Sequence, residues 1–270
     1  MPHRTRALSL ALLITLAPLA APAAALRVCA DPNNLPFSNR ARQGFENKIA
    51  ELLAHDLGEA VQYTFAAQHK TFVKRTLNAH RCDVIIGVPV GMDGMDETHP
   101  YYASSYVFVW RTEDHFQLSS LADPRLRTLK IGVHLIGGDG APPELALGQE
   151  GIVDNVSGFM IYDDYSKPNP PARLIEAVMS RSVDVAVVWG PLGGYFARHS
   201  GGALTVAPLT DTTRFAPLTF RYAIAMGVRK GDRARRDRLD AVIAREQPVI
   251  HRILQSYGVP LVELKGASYE

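Results

Sequence analysis

The chain has 270 residues, of which 47% are hydrophobic and 21% charged, and its formal charge at pH 7 is +2. This composition supports a large core that needs no cross-links, and the near balance of acidic and basic residues argues against nucleic acid as a partner. It also gives no reason to expect an acidic membrane surface as a partner.

Residues 1–25 have the features of a secretory signal peptide. Arg4 and Arg6 precede an apolar run at 7–17, which ends in prolines and three alanines at 23–25. The run is too short to be a good membrane span. We therefore expect export to the periplasm, cleavage after Ala25 and a soluble mature chain, which would carry 27 basic and 27 acidic residues.

The first part of the mature chain predicts a parallel α/β unit. A short buried strand at 26–30 is followed by the turn-forming sequence Asp-Pro-Asn-Asn and a polar loop, and apolar residues at helical spacing then predict a helix over 45–57. Further elements are expected as a strand at 61–65, a helix at 72–79 and a strand at 82–88. Right-handed crossovers would place the loop after the first strand at the carboxyl edge of the sheet, where ligands gather.

A second unit repeats this plan. The residues indicate, in chain order, a strand at 130–133, a Gly-rich loop at 137–143, helices at 144–149 and 171–180, and strands at 183–189 and 204–209. The segments 77–87 and 178–190 share the same succession of helix end, short turn, Asp-Val and buried strand. The chain therefore has two lobes that vary one plan.

The tail predicts a long helix over 233–257, which Pro248 should kink or divide. Its apolar face has to pack on the first lobe if the chain crosses back, and long strands at 105–111 and 220–229 would carry the two crossings. Two connecting strands form a hinge, and a hinge between α/β lobes forms a cleft. We predict that residues 26–110 and 218–270 form lobe 1 and residues 111–217 form lobe 2.

Three stretches carry a resemblance to a known family. They are RVCADPNNLPFSN at 27–39 with GFEN at 44–47, CDVIIGVP at 82–89 with PYY at 100–102, and YSKPNPPARLIEAVMSRSVDVAVVWGPLGGYF at 165–196. These stretches are similar to the MoxJ/XoxJ family, whose members are binding-protein-like products associated with quinoprotein alcohol dehydrogenases, especially methanol dehydrogenase. The resemblance implies an α/β, two-lobed type II periplasmic-binding-protein fold with two crossover strands as the hinge.

The sequence departs from the amino-acid binders of the same fold. Those resemble one another in a G-x-T-x-T-x-x-R run after the third strand, whose arginine binds the ligand carboxylate. Residues 87–94 (GVPVGMDG) contain no such threonines, and no arginine lies between Arg81 and Arg111. A free amino acid is therefore a poor candidate ligand.

Aromatic and amide side chains are expected to line the cleft. We place ten residues there, as a site for a sugar-like ligand or a protruding peptide of a partner protein: Asp31, Asn33, Asn34, Phe37, Ser38, Pro89, Tyr101, Tyr102, Trp189 and Pro191. Turn formation explains Asp31 and the two asparagines equally well. Glu46 and Asn47 are interpreted as structural, because the helix dipole favours an acid at a helix start.

The sequence predicts no metal site, cofactor or catalytic centre. Its histidines are scattered, the loop at 137–143 lacks the spacing of a phosphate-binding motif, and no G-x-S-x-G elbow occurs. Cys29 and Cys82 lie on neighbouring strands in an exported protein, which leaves open both a disulfide and two buried thiols whose Cα atoms are too far apart to bridge.

Three functions remain open. The first is a periplasmic accessory protein of a quinoprotein (pyrroloquinoline quinone) methanol or alcohol dehydrogenase system, with the dehydrogenase or its cytochrome c as partner. The second is a solute receptor that delivers a small polar molecule to an ABC permease. The third, a dehydratase-like enzyme, would need two titratable groups facing each other across the cleft, for which Asp31 and Glu46 are the candidates.

Overall fold

The computed structural model describes residues 24–136, 139–162 and 165–264. The predicted signal peptide lies outside these ranges except for its last two residues, and the segments 137–143 and 162–169 lie partly outside them. The strands are β1 Ala25–Ala30, β2 Asn33–Asn34, β3 Ser38–Asn39, β4 Ala60–Phe65, β5 Val84–Pro89, β6 Asp96–Glu97, β7 Tyr102–Arg111, β8 Ile131–Ile136, β9 Asp139–Gly140, β10 Val156–Met160, β11 Val185–Trp189, β12 Leu204–Pro208 and β13 Arg221–Val228. The α-helices are α1 Phe45–Leu57, α2 Phe72–Arg75, α3 Pro142–Gln149, α4 Arg173–Met179, α5 Gly190–His199 and α6 Arg233–Ser256. No helix in the described ranges is long and apolar enough to cross a membrane.

Two long strands connect the two halves of the sheet, whose order is β10-β8-β11-β7-β13-β5-β1-β4. Residues 102–105 of β7 pair with β13, whereas residues 106–111 pair with β11 and β12. β13 in turn pairs antiparallel with β5 of the first half. The chain therefore crosses between the halves along β7 and β13, as the sequence predicted.

Each half has its own apolar core. In the first lobe, β1, β4 and β5 are covered by α1 and α6, which bury Phe45, Leu53 and Leu254 against them. In the second lobe, β8, β10, β11 and β12 carry core residues on both faces of the sheet. The lobe limits of residues 110 and 217 stay predictions, since the strands that carry the crossings span 102–111 and 221–228.

The C-terminal helix packs on the first lobe without being divided. α6 contacts α1, and Arg235 lies 3.2 Å from the carboxylate of Glu59 beside this contact. Of the two effects predicted for Pro248, a kink or a division, the division is wrong, because α6 is one helix from Arg233 to Ser256. A proline removes a single backbone donor, and buried residues on both sides of it, such as Ile243 and Ile250, hold the helix on the core.

Close packing explains the helix that the sequence did not predict. α5 begins with Gly190-Pro191 and contains Gly193 and Gly194, which are poor helix formers. A Cβ on Gly193 would lie 2.8 Å from Val107 Cγ2, so the glycine allows the helix to lie close against β7. Local propensity therefore gives way to a tertiary contact.

The structure joins Cys29 and Cys82 in a disulfide. Their Cα atoms are 5.4 Å apart, within the usual range for such bonds. β1 and β5 are parallel neighbours with Val28 opposite Val84, and Cys82 precedes β5 closely enough to reach Cys29. Of the two possibilities left open by the sequence, the structure has the bridge.

Candidate binding pocket between the lobes

A pocket of about 960 Å³ lies between the two lobes, at the upper end of the range of roughly 300–1,000 Å³ usual for small-molecule sites. Its first-lobe wall comes from the loop after β1, the start of α1, the segment 68–73 and the end of β5. Its second-lobe wall comes from β8, the end of β10 and the junction of β11 with α5. Most of the lining side chains are apolar or aromatic, and these are Phe37, Phe72, Val73, Ile85, Val88, Pro89, Met92, Tyr102, Tyr106, Pro142, Met160, Ile161, Tyr162, Pro171, Trp189, Leu192, Tyr222 and Ile224.

Three aromatic residues meet where the connecting strands enter the pocket. The ring of Trp189, at the end of β11, lies 5.5 Å from that of Tyr106 on β7 and 5.7 Å from that of Tyr222 on β13, both edge to face. Trp189 and Tyr222 pack against the cores of both lobes. The hinge region of the pocket is therefore an aromatic surface.

A set of hydrogen bonds ties the lobes together at the mouth of the pocket. We call this contact between residues 31–34 and residues 165–169 the latch. The hydroxyl of Tyr165 donates to Asp31 Oδ2 (2.6 Å), Asn33 Nδ2 donates to the carbonyl of Lys167 (2.6 Å), and the backbone N–H of Asn169 donates to Asn33 Oδ1 (2.7 Å). Because each bond joins the two lobes, the latch holds them together in this structure.

Asp31 is fully engaged within the latch. Besides the hydroxyl of Tyr165, its carboxylate accepts the backbone N–H groups of Asn33 (2.8 Å) and Gln68 (2.9 Å). The side chain is buried, and this burial raises its pKa, while the hydrogen bonds from Tyr165 and the two backbone groups act in the opposite direction. Asp31 therefore forms part of the latch, and both of its carboxylate oxygens already accept hydrogen bonds.

Glu46 differs in that its carboxyl group has no donor. It is the second residue of α1, whose start is fixed by Asn47 Oδ1, which accepts the backbone N–H groups of Gly44 and Asn39 at 3.1 Å. The side chain of Glu46 lines the pocket, is only 8% exposed, and receives no hydrogen bond or ion pair from the described residues. Burial, and secondarily the charge of Asp31, raise its pKa to about 8.

Asn34 presents a second acceptor without a donor. It lines the pocket and is 5% exposed. Its Nδ2 donates to Gln68 Oε1 at 3.3 Å, but within the described part of the chain its buried Oδ1 accepts no hydrogen bond. An unpaired buried acceptor is costly, but this Oδ1 exposes almost no surface, so an occupant of the pocket would reach it only if the side chain moved.

The second-lobe wall offers a neutral histidine. His134 on β8 is buried, with Nε2 3.2 Å from the carbonyl oxygen of Pro171, to which it donates. Burial lowers its pKa to about 4, so the ring is neutral at pH 7. At the first-lobe rim, the ring of His69 lies 5.7 Å from Tyr165 and 6.0 Å from Tyr162.

The ten residues that the sequence placed in the cleft fall into two groups. Five line the pocket: Asn34, Phe37, Pro89, Tyr102 and Trp189. The other five lie beside or behind it: Asp31 and Asn33 in the latch, Ser38 with its hydroxyl on the backbone of Asp31, Tyr101 with its hydroxyl on the carbonyl of Ile86, and Pro191 buried in the first turn of α5. Neighbours such as Tyr101 and Tyr102 separate in this way because successive residues of extended chain point to opposite sides.

Sequence reasoning did not place several other lining residues in the pocket. Tyr106 and Tyr222 lie on the connecting strands that the sequence predicted, and His134 directly follows the predicted strand at 130–133, so these positions were the available signals. Gln68 and His69 lie in a loop whose path the sequence does not reveal. Glu46 was interpreted as structural, whereas its side chain lines the pocket.

Among the described lining residues, no side chain is equivalent to the carboxylate-binding arginine of the amino-acid binders. None of the lining residues in the described ranges is an arginine, and Lys70 is the lysine among them. Within the same ranges, no group of three or more histidine, cysteine or acidic side chains is arranged to hold a metal ion.

Comparison with known proteins assigns the chain to a family, although no family model matches it. It is 31% identical to protein MoxJ of Methylorubrum extorquens AM1 over 261 residues, which are 90% of this chain and 84% of MoxJ. It is 27% identical to protein MoxJ of Paracoccus denitrificans, covering 90% of this chain and 93% of that protein.

Solved structures show the same fold. The crystal structure of the periplasmic binding protein XoxJ from Methylobacterium extorquens AM1 has a TM-score of 0.73 and 33% identity, with 88% of this chain and 99% of XoxJ covered. MxaJ from Methlophaga aminisulfidivorans MPT gives a TM-score of 0.77 at 21% identity, with 88% of this chain and 100% of MxaJ covered, which supports the fold alone. The predicted two-lobed α/β fold is confirmed, and the chain belongs to the MoxJ/XoxJ family of periplasmic binding-protein-like proteins.

Proposed function

We propose that this protein acts in the periplasm as a binding-protein-like accessory factor of a quinoprotein methanol or alcohol dehydrogenase system, and that a segment of the dehydrogenase or of its cytochrome c partner enters the pocket between the lobes. The observation that carries the proposal is a pocket of about 960 Å³, walled by aromatic and apolar side chains, in a member of the MoxJ/XoxJ family.

The size and the lining of the pocket favour a peptide segment. Aromatic residues are enriched in the centres of protein–protein interfaces, where a few buried anchors supply most of the binding energy. The cluster of Trp189, Tyr106 and Tyr222 offers such a surface at the hinge. A protruding loop with one or two apolar side chains would fill the space against it.

The charges of the pocket argue against a free amino acid. A carboxylate is held most strongly by an arginine that donates two parallel hydrogen bonds. The described lining has no arginine, and the segment 87–94 lacks the motif that supplies one. An occupant without a carboxylate group therefore fits better.

The geometry also favours binding over dehydratase chemistry. Asp31 and Glu46, the two candidate acids, come from the same lobe instead of facing each other across the cleft. Asp31 accepts three hydrogen bonds, and His134 in the opposite wall is neutral and donates to a backbone carbonyl. Asp31 and His134 are thus held in structural hydrogen bonds, and Glu46 alone does not supply the facing pair of titratable groups that the dehydratase hypothesis requires.

The latch favours a second candidate function, a solute receptor that delivers a small polar molecule to an ABC permease. Receptors of this kind close around their ligands by a hinge motion. The three bonds made by Asp31 and Asn33 across the mouth would stabilise such a closed state. In this reading the small ligand, instead of a protein segment, fills the pocket.

Native mass spectrometry of the protein purified without denaturation from its own periplasm separates the two candidates. We expect a complex with a large dehydrogenase subunit that is lost in the variant Trp189→Leu. Phe196→Leu is the matched control, because Phe196 is also a half-buried aromatic residue of the second lobe but lies outside the pocket lining, and this variant should retain the complex. Circular dichroism of both variants verifies that they fold. A bound small-molecule mass and no protein complex would contradict the proposal and support the receptor function.

A further inference from the structure

We propose that the pocket recognises a primary ammonium group on an apolar stem, such as the end of a lysine side chain, and that Glu46 is the residue that binds it. The inference rests on the proposed function in one respect, namely that the pocket is the binding site. It adds the chemistry of the group that the occupant brings.

The first observation is an acceptor group without a donor in one wall. Glu46 is buried and lines the pocket, and its carboxyl group accepts no hydrogen bond from the described residues. The nearby carboxylate oxygens of Asp31 and the Oδ1 atom of Asn33 already accept hydrogen bonds. An ammonium group, which carries three donors, would pair the oxygens of Glu46.

The second observation is the aromatic surrounding of Glu46. The aromatic side chains of Phe37, Tyr102 and Tyr162 line the same pocket as Glu46. A carboxylate beside aromatic rings suits a cation, because the face of each ring carries partial negative charge. The apolar remainder of the pocket suits the methylene stem of a lysine.

The third observation is the space left beside the carboxyl group. Gly87 on β5 lines the pocket, and a Cβ at this position would overlap the side chain of Glu46. The glycine therefore lets the carboxyl group lie flat against the strand. A compact ammonium group fits beside it better than the planar fork of a guanidinium, which needs two aligned acceptors.

Binding of the cation is coupled to ionisation of Glu46. In the empty pocket the carboxyl group holds its proton up to a pH of about 8, because of burial and the neighbouring charge of Asp31. Below that pH, an arriving ammonium group drives this proton into solvent and keeps its own three. The other titratable groups of the described pocket wall are His69, Lys70, Tyr102, Tyr106, His134, Tyr162 and Tyr222. His134 is neutral, and the tyrosines stay protonated because burial raises their pKa values.

Isothermal titration calorimetry with two small probes tests the proposal on the full mature protein. Hexylammonium chloride carries the proposed group, and 1-hexanol is its neutral counterpart of the same length. Both probes keep their charge state between about pH 6.5 and about pH 9, since an alkyl ammonium has a pKa of about 10.4. We expect the ammonium probe to bind at least tenfold more tightly at the higher pH than at the lower, and to release a proton at the lower pH, while the affinity for hexanol stays constant.

Two variants assign the effect to Glu46. Glu46→Gln should weaken hexylammonium binding at the higher pH by at least roughly tenfold, in line with the strength of hydrogen bonds to charged groups, and leave hexanol unaffected. Glu51→Gln is the matched control on the same helix, because Glu51 pairs with Lys48 at the surface, and it should bind like the wild type. Gly87→Ala is a second test of the role of Glu46, because its added methyl group displaces the carboxyl group of Glu46 without removing it. This variant should also weaken hexylammonium binding.

Three results would overturn the proposal: no binding of hexylammonium to the wild-type protein, equal affinity for the two probes at both pH values, or unchanged ammonium affinity in folded Glu46→Gln. Failure of the proposed function is a separate outcome. Ammonium binding through Glu46 without any dehydrogenase complex would contradict the partner while the ammonium site stands. A dehydrogenase complex that is equally tight with Glu46→Gln would contradict the ammonium site while the partner stands.

Discussion

Similar polar side chains are hydrogen-bonded in the latch at the mouth and unpaired in the pocket behind it. In the latch, Asp31 accepts three hydrogen bonds and Asn33 uses both ends of its amide across the lobes. In the pocket, no described residue donates to the carboxyl group of Glu46, and the buried Oδ1 of Asn34 is unpaired among the same residues. The difference separates the polar groups that join the lobes from the carboxyl group that we propose binds the occupant.

The largest effect on the free energy of unfolding is expected when the unpaired carboxyl group of Glu46 is replaced. Its pKa is raised from 4.5 to about 8 in the folded protein, so the folded state holds this proton more tightly than the unfolded state does. The free energy of unfolding that depends on this group is therefore fully present below pH 4.5 and is lost as the pH rises towards 8. Glu46→Gln should remove this decline and stabilise the protein by about 3–5 kcal/mol at a pH near 8.

Urea unfolding of the wild type and of Glu46→Gln across this pH range measures the effect. The control Glu51→Gln should follow the wild-type curve, because that glutamate is paired at the surface. If the free energy of unfolding followed parallel curves against pH in the wild type and in Glu46→Gln, folding would not raise the pKa of Glu46. The contrast between the latch and the pocket would then fail.

The next effect is expected in the latch. Asp31→Ala removes one acceptor and leaves the hydroxyl of Tyr165 and two backbone N–H groups without a partner. We expect the free energy of unfolding to fall by about 2–4 kcal/mol, measured by urea denaturation at neutral pH. The exposed Asp93→Ala is the charge-matched control and should change it by less than about 0.5 kcal/mol. Equal stability of the two variants would show that Asp31 has no structural role.

A smaller change isolates one bond between the lobes. Tyr165→Phe deletes only the hydroxyl that donates to Asp31 at 2.6 Å. The expected cost is about 1–2 kcal/mol, and the radius of gyration from small-angle X-ray scattering should increase because the closed arrangement is weakened. Tyr195→Phe serves as the control, because the ring of Tyr195 stacks on Tyr257 while its hydroxyl makes no hydrogen bond to a described residue. An unchanged radius of gyration together with unchanged stability would contradict the latch.

The smallest expected effect is the difference in stability between variants of two adjacent asparagines, Asn33 and Asn34. Asn33→Ala loses both hydrogen bonds to the second lobe and should cost about 1 kcal/mol. Asn34→Ala loses one long hydrogen bond to Gln68, at 3.3 Å, and should cost less than about 0.5 kcal/mol. Thermal unfolding of the two variants side by side measures the difference. A greater loss for Asn34→Ala would reverse the assignment of the two asparagines.

The sequence predicted the fold well because its strongest signals are local. Apolar periodicity and turn residues located β1, α1 and β11 to within a few residues, and the two long apolar strands indicated the double crossing. α5 was missed because Gly193 and Gly194 oppose helix formation locally, while their close contacts with other elements become visible only in three dimensions.

The candidate site was predicted only in part, for a similar reason. Trp189 and Phe37 were placed in the pocket because they follow strand ends or lie in a loop at the carboxyl edge of the sheet. The roles of Asp31 and Glu46 were not separable, since an acid in a turn and an acid at a helix start each have an ordinary structural explanation. The deciding fact is the presence of Tyr165 beside one acid and the absence of any described donor beside the other.

Hydrogen exchange with mass spectrometry, on the protein alone and with the quinoprotein dehydrogenase that we propose as its partner, tests the central claim most directly. We predict that binding slows exchange in the pocket segments, namely the start of α1, the end of β5 and the junction of β11 with α5. The exposed segment around Val153 supplies an internal reference that should not change. Protection confined to outer surfaces, with unchanged exchange in the pocket segments, would contradict the claim that the dehydrogenase occupies the pocket.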